Sequence, residues 1–189
     1  MENLFESLIA LQARLRRAGI SSAIIGGVAV SVWGEPRVTR DVDIKVLLTR
    51  KDAARLLNLL MPDYKSLIAD PLQSLTSTGI IFVQDELDTR LDILLSDTSF
   101  DAKAIQRAQA VELEPGLMAR ICSAEDLIVY KLISTRLRDY QDAASVIRRQ
   151  GDALDDDYVL DWLRQFEQAL DDSTLIAEYR RMRGISRIE

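Results

Sequence analysis

Asp41 and Asp43 stand two residues apart in Arg40-Asp41-Val42-Asp43-Ile44-Lys45-Val46, where polar and apolar residues alternate. In an extended chain alternate side chains share a face, so the two carboxylates point one way while Val42, Ile44 and Val46 point the other. Like charges at this spacing repel, and each makes the other harder to ionise. A divalent cation offsets that repulsion. Hard oxygen donors suit Mg²⁺, which is commonly held by one or two carboxylates together with substrate phosphates. Upstream, the apolar run Ile24-Ile25 ends in Gly26-Gly27 and opens a short apolar helix. Without Cβ atoms the backbone can approach a phosphate closely, and the unpaired N–H groups of a helix start attract an anion.

These residues need three elements to position them: a strand, a helix that Gly34 and Pro36 stop, and a second strand alternating from Arg37 onward. Arg37 and Thr39 share the parity of Asp41 and Asp43 and are expected beside a bound phosphate, whereas Arg40 points away.

Composition narrows the chemistry. The chain has 189 residues, 48% apolar and 29% charged, which describes one globular domain or a core with a helical appendix. It contains no histidine, so no Ser-His-Asp or Cys-His nucleophile and no histidine-liganded metal site can be built. The single Cys122 excludes an internal disulfide framework and a cysteine-built zinc site. A formal charge of −6 argues against a broad nucleic-acid-coating surface, although a local basic groove remains compatible with it. No apolar run reaches the ~18 residues of a membrane span, and the amphipathic, charged start is no secretory signal. The expectation is a cytoplasmic protein without membrane attachment.

Helical spacing of Leu4, Phe5, Leu8, Ile9, Leu11 and Leu15 predicts an opening helix over 3–18, closed by Gly19. Thr49 and Asp52 resemble a cap for a helix to about Leu60, which Pro62 terminates. Residues 63–78 read as an irregular connection holding at most one short strand. Gly79–Val83 and Leu87–Leu95 predict a hairpin turning at Gln84-Asp85-Glu86, with Asp88, Arg90 and Asp92 on one face. A helix near 99–108 and two strands within 110–122 complete a core over 1–122. From Ser123, a capping residue, the region 123–189 reads as all-helical, with helices over 124–136, 139–149, 156–169 and 173–182. Tyr130, Tyr158, Trp162 and Phe166 have core spacing, not that of a base-stacking platform.

The chain resembles the DNA polymerase beta-like nucleotidyltransferase superfamily at Ile25-Gly26-Gly27, a gap of thirteen residues, then Asp41-Val42-Asp43-Ile44. Ser123-Ala-Glu-Asp-Leu-Ile-Val-Tyr-Lys131-Leu-Ile and Arg136-Leu-Arg138-Asp139-Tyr-Gln-Asp142 resemble the sequence following the core in its abortive-infection toxin type and related bacterial families. The likeness runs from about residue 20 to 150. It implies an α/β fold, a small mixed sheet flanked by helices and followed by a helical region. It also implies a third carboxylate on a later strand; Asp92 fits, and Asp88 is its competitor.

By the same resemblance, Asp41, Asp43 and Asp92 would bind Mg²⁺, or alternatively Mn²⁺. Gly26, Gly27, Arg37, Thr39 and Lys131 would contact the NTP. The Arg138, Asp139 and Asp142 cluster reads equally as a structural network and as a substrate contact, with Arg138 and Asp142 spaced to pair along a helix. The implied activity is transfer of an NMP from an NTP to a hydroxyl on RNA, protein or a small molecule, in a toxin–antitoxin setting with a partner protein. Two alternatives stay open. One is a catalytically silent, antitoxin-like binding partner with the same fold, against which the repelling acids argue. The other is a nuclease, for which there is no positive motif.

Overall fold

Leu4, Leu8, Leu11 and Leu15 recur at helical spacing, and all four are buried along one face of helix α1 (Glu2–Arg17). Gly19, at φ +71°, ends the helix in the left-handed conformation that glycine adopts without strain. The computed structural model describes residues 2–134 and 136–184. Met1 and residues 185–189, the outer ends of the two expected regions, lie outside them, as does Thr135 within the helix expected over 124–136.

The described chain divides into two units. The first comprises the residues up to Val28 together with Val38–Cys122, and the second comprises Ala29–Arg37 together with the residues from Ser123.

In the first unit a sheet holds β1 (Ser22–Ile24), β2 (Asp41–Val46), β3 (Lys65–Ser66), β4 (Ile80–Gln84), β5 (Arg90–Leu95), β6 (Gln109–Glu114) and β7 (Leu117–Ile121) in the order β3-β4-β5-β2-β1-β7-β6. It is mixed: β2 runs parallel to β5 and β1 to β7, while the other pairs are antiparallel. Val42, Ile44 and Val46 from β2 and Leu91, Ile93 and Leu95 from β5 are buried in register. This central apolar floor fixes which face the intervening polar residues take. Helix α2 (Gly26–Trp33) follows β1 and begins in this unit, which also holds α3 (Ala53–Leu60), α4 (Pro71–Thr78) and α5 (Ser99–Arg107).

Two local expectations differ. Residues 37–40 are not part of a strand: β5 begins at Arg90 opposite Asp41, no strand pairs with 37–40 among the described residues, and Val38 is 74% exposed. Residues 71–78, expected as irregular, form α4, because Asp70 accepts from the Gln73 N–H and Pro71 takes the first helical position. The expected short strand is β3.

The second unit is helical, with α6 (Ala124–Leu132), α7 (Leu137–Gln150), α8 (Asp156–Leu170) and α9 (Leu175–Arg183). Ser123 caps α6 by accepting from the Asp126 N–H, and Asp155 caps α8 through Tyr158. Tyr158 meets Trp162 edge-on at 6.5 Å and donates to Asp126, so these aromatics serve packing. The end of α7 holds the segment after α2: Gln150 donates to the Trp33 carbonyl at 2.7 Å and Arg149 to that of Gly34 at 2.5 Å. A Cβ on Gly34 would lie 2.5 Å from the Ser145 hydroxyl, so the close approach requires glycine. Among the described residues, no helix is long and apolar enough to cross a membrane.

Candidate active site

Asp41 and Asp43 lie on one face of β2, half-exposed between buried Val42 and Ile44. The parallel pairing with β5 sets Asp43 opposite Asp92 and Asp41 opposite Arg90. Three carboxylates therefore come from two adjacent strands, and Asp92 is only 9% exposed. Thr39, just before the strand, has its hydroxyl 3.1 Å from Asp41 Oδ1 and orients that carboxylate.

Gly26 begins α2 at φ +62°, and a Cβ there would collide with the Asp43 carboxylate. The backbone reinforces the approach, since the Ile25 N–H donates to the Asp43 carbonyl at 2.9 Å. The first glycine of the pair thus makes room for an acid as well as exposing backbone at a helix start.

Asp88, the competitor of Asp92, precedes the strand. It sits at φ +59° in a turn that Asp85 organises by accepting from the Leu87 and Thr89 N–H groups. Strand β5 begins only at Arg90, so the shared-face parity does not extend back to Asp88.

Arg90 has a role that its place on the strand does not announce. Its Nε and Nη2 donate to the two oxygens of Asp92 at 2.7 and 3.0 Å, and its guanidinium lies 4.5 Å from the centre of the Phe82 ring. The hydrogen bonds to Asp92 hold the Arg90 pKa above its usual value against partial desolvation, and the charges of Asp92, Asp41 and Asp43 act in the same direction. Both Asp92 oxygens are thus turned to Arg90. Among the described residues, no group of three or more acidic or cysteine side chains is already gathered for a metal. The signal available in the sequence was an arginine two positions before an acid on a strand. Lys45, next on the Asp41/Asp43 face, is bound 2.8 Å from Asp101 at the start of α5.

Arg37 and Lys131 belong to the other unit. Lys131 is 6% exposed, with its ammonium 2.5 Å from Asp139 and 2.9 Å from Asp142. Arg37 grips Asp142 with two bonds of 3.0 Å, while Ser134 and Arg136 each donate to Asp139 at 2.6 Å. Burial pushes the Asp139 pKa up, but the bonds from Lys131, Ser134 and Arg136 outweigh it and hold the carboxyl below its usual value. Asp142 is thus partnered by Lys131 and Arg37 and not by Arg138, which is exposed.

No protein-family model matches the chain, and no curated protein matches it. Solved structures do. An antigenic nucleotidyltransferase-like protein from Paracoccidioides brasiliensis is 17% identical and superposes with a TM-score of 0.52, covering 93% of this chain and 96% of its own. The antibiotic-resistance factor ANT(2'')-Ia gives 15% identity and 0.55, covering 88% and 93%. The lincosamide antibiotic adenylyltransferase LnuA, lincomycin-bound, gives 13% and 0.51, covering 75% and 94%. The chain has the nucleotidyltransferase fold. Both units fall within the first two of these matches, so the nucleotidyltransferase fold includes helices of the second unit as well as the sheet bearing Asp41, Asp43 and Asp92.

Proposed function

We propose that this chain is a metal-dependent enzyme that moves a nucleoside monophosphate from an NTP to an acceptor hydroxyl, forming the acceptor O–Pα bond, breaking the bond from Pα to the β-phosphate oxygen and releasing pyrophosphate. The observation carrying this reading is the β2/β5 register, which places Asp92 opposite Asp43 with Asp41 on the same face, within a nucleotidyltransferase fold. Three hard oxygen donors beside a glycine-opened helix fit Mg²⁺, and Mn²⁺ equally. Bound there, the metal would neutralise phosphate charge and stabilise the attacking and leaving oxygens of an in-line displacement. Asp41 and Asp43 would hold it against the phosphates. Asp92 would hold the acceptor side and receive the hydroxyl proton. Gly26 and Gly27 would offer backbone N–H groups to the triphosphate, and Thr39 would keep Asp41 oriented. The contacts of Lys131, Arg37, Asp139 and Asp142 support a structural role for that cluster ahead of phosphate binding.

The likeness to a lincosamide antibiotic adenylyltransferase supports a small-molecule hydroxyl as acceptor, beside RNA and protein. The second reading is a catalytically silent, antitoxin-like partner, and the Arg90 bonds to Asp92 are the observation that favours it. Incubation with each labelled NTP and Mg²⁺ or Mn²⁺ separates the two, with total RNA, total protein and a panel of hydroxylated antibiotics as acceptors. Label transfer that disappears in Asp43→Asn supports the enzyme, and RNA shortening without label indicates a nuclease. Absence of both transfer and NTP binding overturns it.

A further inference from the structure

We infer that Arg90 is the resident counter-cation of the carboxylate site, holding Asp92 in the metal-free protein and competing directly with the divalent ion for it. The inference rests on the proposed metal role of Asp41, Asp43 and Asp92, and adds a residue that must move before metal binds.

Three acids on two adjacent strands repel one another, and the metal-free chain needs something to relieve that repulsion. The Arg90 guanidinium supplies it from within the same face. Its two bonds of 2.7 and 3.0 Å occupy both oxygens of Asp92, and strand pairing sets Arg90 opposite Asp41. Phe82, opposite Asp92 on β4, lies 4.5 Å from the guanidinium and supports its orientation. The arrangement is self-contained in one unit, and the carboxylate that the arginine pairs with is a proposed metal ligand. A carboxylate with both oxygens in a paired guanidinium bond has none to offer a cation until the pair opens. The side chain of Arg90 is half-exposed, so it can swing outward without disturbing the core.

The test measures metal binding alone. Mn²⁺ is titrated into the nucleotide-free protein and free ion is read by electron paramagnetic resonance, for the parent, Arg90→Met, Arg90→Lys, Arg40→Met and Asp43→Asn. Arg90→Met should bind Mn²⁺ about tenfold more tightly than the parent, because the ion no longer displaces an intramolecular pair. Arg40→Met removes the same charge from an exposed neighbour and should change affinity less than about twofold. Arg90→Lys keeps the charge without the paired bond and should fall between parent and Arg90→Met. It also carries the test if the methionine variant fails to fold by circular dichroism. If the parent binds Mn²⁺ and loses it in Asp43→Asn, yet the folded Arg90 variants bind no more tightly, the inference is overturned and the transferase reading stands. If neither the parent nor the Arg90 variants bind Mn²⁺, the inference is overturned, and the label-transfer assay alone decides the transferase reading.

Discussion

The Asp43 carboxylate occupies the space that any side chain on Gly26 would need. The Gly-Gly and the Asp-x-Asp are therefore two parts of one steric arrangement, because the helix start can lie against the strand only if its first residue has no Cβ.

Gly26→Ala tests this. The alanine must adopt φ +62°, costing about 1–2 kcal/mol, and must also displace Asp43. Thermal unfolding should register the first effect. Mn²⁺ titration should register the second as a loss of at least about tenfold in affinity, the scale on which misplaced ligands act. Gly26→Ala with unchanged metal affinity would separate the glycine from the acid.

Asp43→Asn should leave the metal-free fold within about 0.5 kcal/mol of the parent, as expected at a half-exposed position. Mg²⁺ and NTP at a hundredfold excess over their dissociation constant should stabilise the parent by about 2.7 kcal/mol and the variant far less. Thermal shift with and without ligands measures both. A variant much less stable than the parent without ligands would make Asp43 a structural acid.

Asp92→Asn should lower NTP turnover by at least about a hundredfold, whereas Asp88→Asn, in the turn before β5, should leave it unchanged. Steady-state rates for the two variants decide the assignment, and the reverse pattern would move the third carboxylate to Asp88.

Asp139→Asn addresses the buried ionic cluster of the helical unit. The carboxyl is held below its usual value of 3.8, so its bonds to Lys131, Ser134 and Arg136 stabilise the fold fully above that pH. That stability is lost as the pH falls through the lowered folded-state value. At neutral pH the substitution should cost on the order of 3 kcal/mol, and the difference from the parent should narrow once the pH is taken below the ordinary carboxylate value of 3.8. Urea unfolding at the two pH values reads it. A constant difference would locate the cost in packing.

The sequence made the central elements legible because period-2 alternation over Asp41–Val46 and Arg90–Leu95 and helical spacing over Glu2–Arg17 reflect one buried face each. Asp92 was reached through the resemblance, which implies a third carboxylate on a later strand, since parity set Asp88 and Asp92 on one face alike. Local signals failed where a partner decided the outcome. Arg37 continues the alternation of Asp41 and Asp43 on paper, but with no strand beside it the chain leaves the sheet and Arg37 bonds Asp142. Arg138 and Asp142 have helical pairing distance, yet Lys131 and Arg37 reach Asp142 from elsewhere in the unit. Helix α4 was legible in principle, since Asp70-Pro71 is a cap followed by a first-turn proline, and only the weak apolar period behind it hid the element. The spacing of Arg90 and Asp92 was visible, but whether the guanidinium turns onto that acid depends on a rotamer that spacing does not specify.

The segment Ala29–Arg37 belongs to the helical unit, although more than eighty residues of sheet-forming chain separate it from the rest of that unit. During synthesis, Gly34 and Arg37 leave the ribosome long before Arg149 and Asp142, the groups that hold them. The helical unit therefore cannot finish folding as an independent C-terminal module, because its completion is a high-contact-order event that waits for the whole intervening sheet to be made. A gene cut between Cys122 and Ser123 would part Ala29–Arg37 from the helices whose side chains bond it. It would leave each product missing or carrying a piece of the other.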